Sequence, residues 1–190
     1  GPFSGPGFDS MWTDMSEIVR PTRDGIHGRE YISTSVDIGS KPDLLEFNKD
    51  GSLLTTLSPI IELPVPVVMD VTRLGPLSEE MLRGFADASL RLQTLLVASP
   101  DSLPKDASER LNSHLVPAWP DGTDVSRLEI PSGVRMVELA LGQSWKEDAR
   151  KFREKFPDVV LSFRVNAGKG IEQKVLDLVR AKIDVVHVLY

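Results

Sequence analysis

The chain has 190 residues, with 28 acidic against 22 basic side chains and a net charge of −6: room for one good core, and the wrong sign for gripping a phosphate backbone. Aromatic residues make up only 6%, too few for a base-stacking surface, and no apolar run approaches the roughly 18–20 residues of a membrane span. There are no cysteines, so disulfides, thiolate catalysis, zinc–cysteine sites and cysteine-ligated iron–sulfur clusters are absent from this chain, in keeping with a reducing cytoplasm.

In chain order, residues 1–15, opening "GPFSGPG", read as a tag remnant or flexible lead and carry no fold signal. Residues 16–64 form an irregular arm, dense in Gly, Pro, Ser and Thr. Within it, 31–38 alternates as a strand does, and "FNKDGSLLTTLS" places an Asp-Gly pair where a hairpin turns. From 65 the pattern changes. "VPVVMDV" (65–71) is a near-continuous apolar run, the mark of a strand buried on both faces. Ser78, followed by two glutamates, opens a helix whose expected apolar face is Met81, Leu82, Phe85, Ala88 and Leu92. Strands are expected over 94–99, 113–119, 134–141, 158–165 and 184–190. Between the later ones lie a charged helix with Trp145, Ala149, Phe152 and Phe156 at helical spacing, and a second helix over 170–182.

Alternating units of this kind imply parallel strands joined by crossovers. The pattern alone leaves two architectures open, a doubly wound sheet and a (β/α) barrel. A whole barrel takes about 200–250 residues and eight strands, so a barrel over 65–190 would be incomplete. Its open edges predict a homo-oligomer or a second chain that completes it.

Three stretches and the scattered histidines are candidates for chemistry. "RPTRDGIHGRE" gathers Arg20, Arg23, His27, Arg29 and Glu30, either as an anion contact or as a solvated loop whose charges pair locally. "NAGKG" (166–170) follows a strand and opens a helix, either as an anion cradle with Lys169 or as a plain tight turn; it matches neither phosphate-loop spacing. The histidines at 27, 114 and 187 have no partners at metal spacing, and His187 reads as a sheet residue that packs or hydrogen-bonds rather than a base. "ELALGQSWKED" runs a strand straight into Gly142-Gln143. There Gln143 either offers its donor and acceptor to a ring edge or caps the next helix.

The order of "SEIVRPTRDGIHGREYISTSVDIGSKP", "IELPVPVVMDVTRLGPLS", "MVELALGQSWKED", "VVLSFRVNAGKG" and "KIDVVHVLY" resembles the FMN-binding domain of glutamate synthase and its stand-alone archaeal and bacterial relatives, over roughly 16–190. The resemblance implies the N-terminal part of a TIM-type barrel with an irregular arm. It implies FMN at the C-terminal ends of the strands, lined by Met69, Thr72, Gln143 and Arg164. Arg164 stands where the family has a flavin-facing lysine, and Met69-Asp70-Val71-Thr72 replaces a Met-Ser turn. The main flavin phosphate contacts are expected beyond Tyr190.

Two functions follow. One is an oxidoreductase acting on CH–NH2 donors in glutamate biosynthesis, of which this chain is a part that is inactive alone. The other is a divergent, non-catalytic barrel module for ligand sensing or as a scaffold in a larger complex.

Overall fold

The computed structural model describes residues 35–40, 44–55 and 57–190; the expected "RPTRDGIHGRE" site and residues 31–34 of the expected strand lie outside them. Among these described residues, eight strands and four α-helices follow in the order β1 (Val36–Gly39), β2 (Ile60–Leu63), β3 (Met69–Asp70), α1 (Glu79–Leu92), β4 (Leu96–Ala98), α2 (Lys105–Leu111), β5 (Leu115–Trp119), β6 (Met136–Ala140), α3 (Trp145–Lys155), β7 (Val160–Asn166), α4 (Ile171–Arg180) and β8 (Val185–Leu189). No helix among the described residues is long and apolar enough to cross a membrane.

β3 to β8 form one six-stranded sheet in sequence order, and all five pairings are parallel. The sheet is curled. Arg164 on β7 donates from Nη1 to Thr72 Oγ1, just past β3, at 3.1 Å, and Arg73 Nη1 donates to the Tyr190 carbonyl, just past β8, at 3.0 Å. In a flat sheet, with strands about 4.8 Å apart, those pairs would stand roughly 19 and 24 Å apart. No arginine spans that, so the strands wrap as half of a barrel.

The curl gives the sheet an outer face under helices and an inner face lining a lumen. On the outside, α1 and α2 cover Val71, Leu96, Ala98 and Leu115, while Ala149 and Phe152 of α3 and Leu178 of α4 cover Val137, Leu139, Leu161, Phe163 and Val165. Alternate residues turn inward. At the N-terminal end of the lumen these are Leu95, Val97, Val116, Met136 and Val160, packed against Ile61 and Leu63 of β2. β2 pairs antiparallel with β1, so this ribbon plugs one end of the half-barrel. Ile61 and Leu63 are 1% and 0% exposed, against Ile60 and Glu62, which point out to solvent, as strand alternation requires.

Some elements depart from the expected pattern. β3 is only two residues long, because Pro64 and Pro66 lack the N–H groups that a ladder needs. Its hydrogen bonds begin at Met69 N to Leu95 O and Val71 N to Val97 O. The buried face of α1 is Leu82, Ala86 and Ser89, with Met81 and Leu92 half exposed. The small residues at 86 and 89 bring the helix close to the sheet, which turns the stripe away from Met81 and Leu92. Ser78 does cap α1, its Oγ accepting from Met81 N at 3.3 Å. The seven-residue α2 has no counterpart in the expected elements; its Ala107 and Leu111, four apart, are buried, and a run that short gives little periodicity to detect.

Candidate functional site

The lumen is apolar at its N-terminal end and polar at the other. Glu138 sits on β6 between Val137 and Leu139, two residues that face the helices, so its own side chain faces inward. It is 1% exposed. Sheet register places Ser162 beside Glu138, and Ala140 beside Arg164 one step nearer the C-terminal end. It also sets Arg164 beside His187.

These inward positions form a chain of contacts. His187 Nδ1 lies 2.7 Å from Glu138 Oε2, and Arg164 Nη1 lies 3.6 Å from Glu138 Oε1. Arg164 also donates to Thr72 Oγ1, whose hydroxyl donates to Asp70 Oδ1 at 2.6 Å. The Thr72 backbone N–H reaches the same oxygen at 2.8 Å. The hydrogen bond that the ring donates to Glu138 holds the His187 pKa above the ordinary imidazole value, against burial, which lowers it; the negative charges of Glu138 and Asp70 add to the rise, and Arg164 opposes it. Glu138 Oε1 and Ser162 Oγ, both buried, have no hydrogen-bond partner among the described residues. A 3.6 Å ion pair is too long to count as one.

Above this network, at the C-terminal ends of the strands, a cavity of about 480 Å³ is lined by Thr72, Arg73, Asp121, Arg164, Asn166 and Lys174 among others. That volume suits a small ligand, and three of those side chains are cationic against one carboxylate. The Asp121 carboxylate packs over Gly142 closely enough that a Cβ added at Gly142 would overlap it. Among the described residues no three His, Asp or Glu side chains come together as a metal site. A second hollow, of about 530 Å³, lies outside the lumen between α3 and the turn before β8, lined by Trp145, Ala149, Arg153 and Ile183 among others.

Of the four residues expected at the site, the curl brings two together, Thr72 and Arg164. Met69 packs with the cluster under α1 and α2, and its neighbour Asp70 takes the inward place. Gln143 is exposed in the turn before α3 and does not line the cavity. Lys169, in the "NAGKG" turn, is exposed. His114 hydrogen-bonds the Thr94 carbonyl at 2.9 Å, away from the mouth. Sequence reasoning missed Glu138, Asp70 and Arg73. A glutamate in the middle of an otherwise apolar strand, "MVELA", was the signal for Glu138, because such a residue is buried only with partners.

No protein-family model matches the chain, and no solved structure matches it. Three curated relatives are proteins named archaeal-type or archaeal glutamate synthase [NADPH]. That of Thermotoga neapolitana is 28% identical over 143 residues, 73% of this chain and 28% of its own. That of Archaeoglobus fulgidus is 25% identical over 146 residues, again 73% and 28%. That of Dehalococcoides mccartyi is 24% identical over 139 residues, 73% of this chain and 27% of its own. The chain thus spans a little over a quarter of the length of these relatives. Over nearly three quarters of its own length, it is similar at a distance to glutamate synthases.

Proposed function

We propose that residues 65–190 supply six strands of a TIM-type flavin barrel of the glutamate-synthase kind, in a cytoplasmic oxidoreductase. The observation that carries this reading is the meeting of Arg164 and Thr72 across the curled sheet at the C-terminal strand ends, where barrel sites lie. The distant likeness to glutamate synthases supports it. The residues present fit one edge of FMN. Arg164 offers guanidinium donors and Asn166 a donor and an acceptor, both at a cavity large enough for a flavin ring. Hydride transfer is the chemistry that FMN supplies when bound.

This chain's own residues would orient the ring edge through Arg164, hold Arg164 through Thr72 and Glu138, and keep water from the lumen through the apolar plug. In this reading the remaining strands come from further residues or a second chain, and the chain alone does not turn over. Added FMN should bind and lose fluorescence. Arg164→Ala should weaken that binding about tenfold, the cost of one hydrogen bond to a charged group. A chain that leaves FMN fluorescence unchanged at any concentration sinks the flavin reading.

A second reading, a non-catalytic module for ligand sensing or scaffolding, is favoured by one observation. Asp121 packs over Gly142 and so lays a carboxylate across the turn after β6, at the mouth cavity that it lines. Asp121→Ala should then raise FMN affinity if the carboxylate obstructs the ring, and leave it unchanged if the mouth serves another ligand.

A further inference from the structure

Four charged side chains meet in the lumen: Asp70 from β3, Glu138 from β6, Arg164 from β7 and His187 from β8. The inward residues of β4 and β5, Val97, Val116 and Ala118, are not titratable. With His187 protonated, the two cations balance the two carboxylates. With His187 neutral, the group carries a surplus negative charge. Arg164 is then the one cation against a carboxylate that is 1% exposed. Charges this close and this shielded from water act strongly on one another.

Arg164 is placed to respond. Its side chain is 17% exposed, and it lines the mouth cavity while Nη1 also faces Glu138 at 3.6 Å. The imidazole already occupies the other oxygen of that carboxylate, at 2.7 Å.

We propose that His187 is a positioning residue for Arg164, acting through Glu138, and that its protonation sets whether the mouth offers a free guanidinium to an anionic ligand. This rests on the reading of the mouth as the ligand site, and it adds the control of that site. Protonated His187 satisfies Glu138, so Arg164 attracts an anion together with Arg73 and Lys174. Neutral His187 leaves Glu138 to draw Arg164 inward, and the anion is held less well.

Sulfate is a suitable probe, since its charge is constant across the range. Sulfate affinity of the 190-residue chain, measured by calorimetry, should fall about fivefold or more as pH rises through about 5 to 9. The Arg164 Nε–H resonance should shift with the same midpoint as the His187 imidazole. His187→Gln keeps a donor for Glu138 but does not titrate, so its sulfate affinity should be flat with pH. Glu138→Gln should flatten it as well, and serves if the first variant does not fold. An affinity independent of pH in the wild-type chain, no sulfate binding at any pH, or an Arg164 resonance that ignores the His187 midpoint would overturn the proposal. A wild-type slope that persists in His187→Gln would overturn it too. Failure of FMN to bind while the sulfate slope persists would remove the flavin reading and leave this one standing.

Discussion

The two ends of the lumen are built by opposite means. At the N-terminal end the chain fills its own interior with Ile61 and Leu63 against Leu95, Val97, Val116, Met136 and Val160, an apolar cluster. At the C-terminal end the same six strands bury Glu138 and aim Arg164 and His187 at it, below an open cavity. Burying apolar surface stabilises at roughly 25 cal/mol per Å², whereas a buried ion pair often contributes little net stability against a hydrophobic equivalent. The difference teaches a division of labour: the plugged end holds the half-barrel together, and the charged end is the one the proposed function assigns to a ligand.

The largest effect should come from breaking the plug. Leu63→Ala, at a fully buried position, should cost about 2–5 kcal/mol in denaturant unfolding, with the His187 titration unmoved in the folded fraction. If Leu63→Ala proves neutral, the ribbon is not what closes that end. The charged end should give a smaller cost. Glu138→Gln should lose about 1–3 kcal/mol and return the His187 pKa to the ordinary imidazole range, read by NMR. An unchanged His187 titration would show that Glu138 is not the cause.

The pH dependence sharpens the contrast further. Because the folded-state pKa of His187 is raised, its contribution to stability is complete below the unfolded value of about 6.5 and is lost as pH rises through the higher folded value. Stability should therefore decline on the alkaline side in the wild-type chain, and His187→Gln should remove that part of the decline. The smallest effect is expected at the rim. Gly142→Ala pushes on the far end of the exposed Asp121 side chain, which can swing away, so the loss should stay within about 1 kcal/mol. A larger loss would mean that Asp121 is held in place.

Much of the architecture was written locally. The alternation of apolar runs with amphipathic helices specifies parallel units because each pattern has its own period. The cap at Ser78 and the Phe152 face of α3 are local facts of the same kind. What failed locally were features set by neighbours: the rotation of α1 toward Ala86 and Ser89, and the shortening of β3 by its prolines.

The site divides along the same line. The family resemblance put Met69, Thr72, Gln143 and Arg164 at strand ends, and a lone glutamate inside "MVELA" was a visible oddity. Nothing in the sequence says that Thr72 and Arg164, 92 positions apart, touch, or that Glu138 lies against His187, 49 positions away. Only the curl of the sheet decides this, because it turns strands that are distant in the hydrogen-bonded order into opposite walls of one lumen. Register then decides which residue of each strand faces in, and a step of one would have exchanged Asp70 for Met69. The sequence by itself determined most of the strands and the longer helices, whose periods are local. The tertiary structure alone decided which charges meet, since pairing across a lumen depends on curvature that no local pattern encodes.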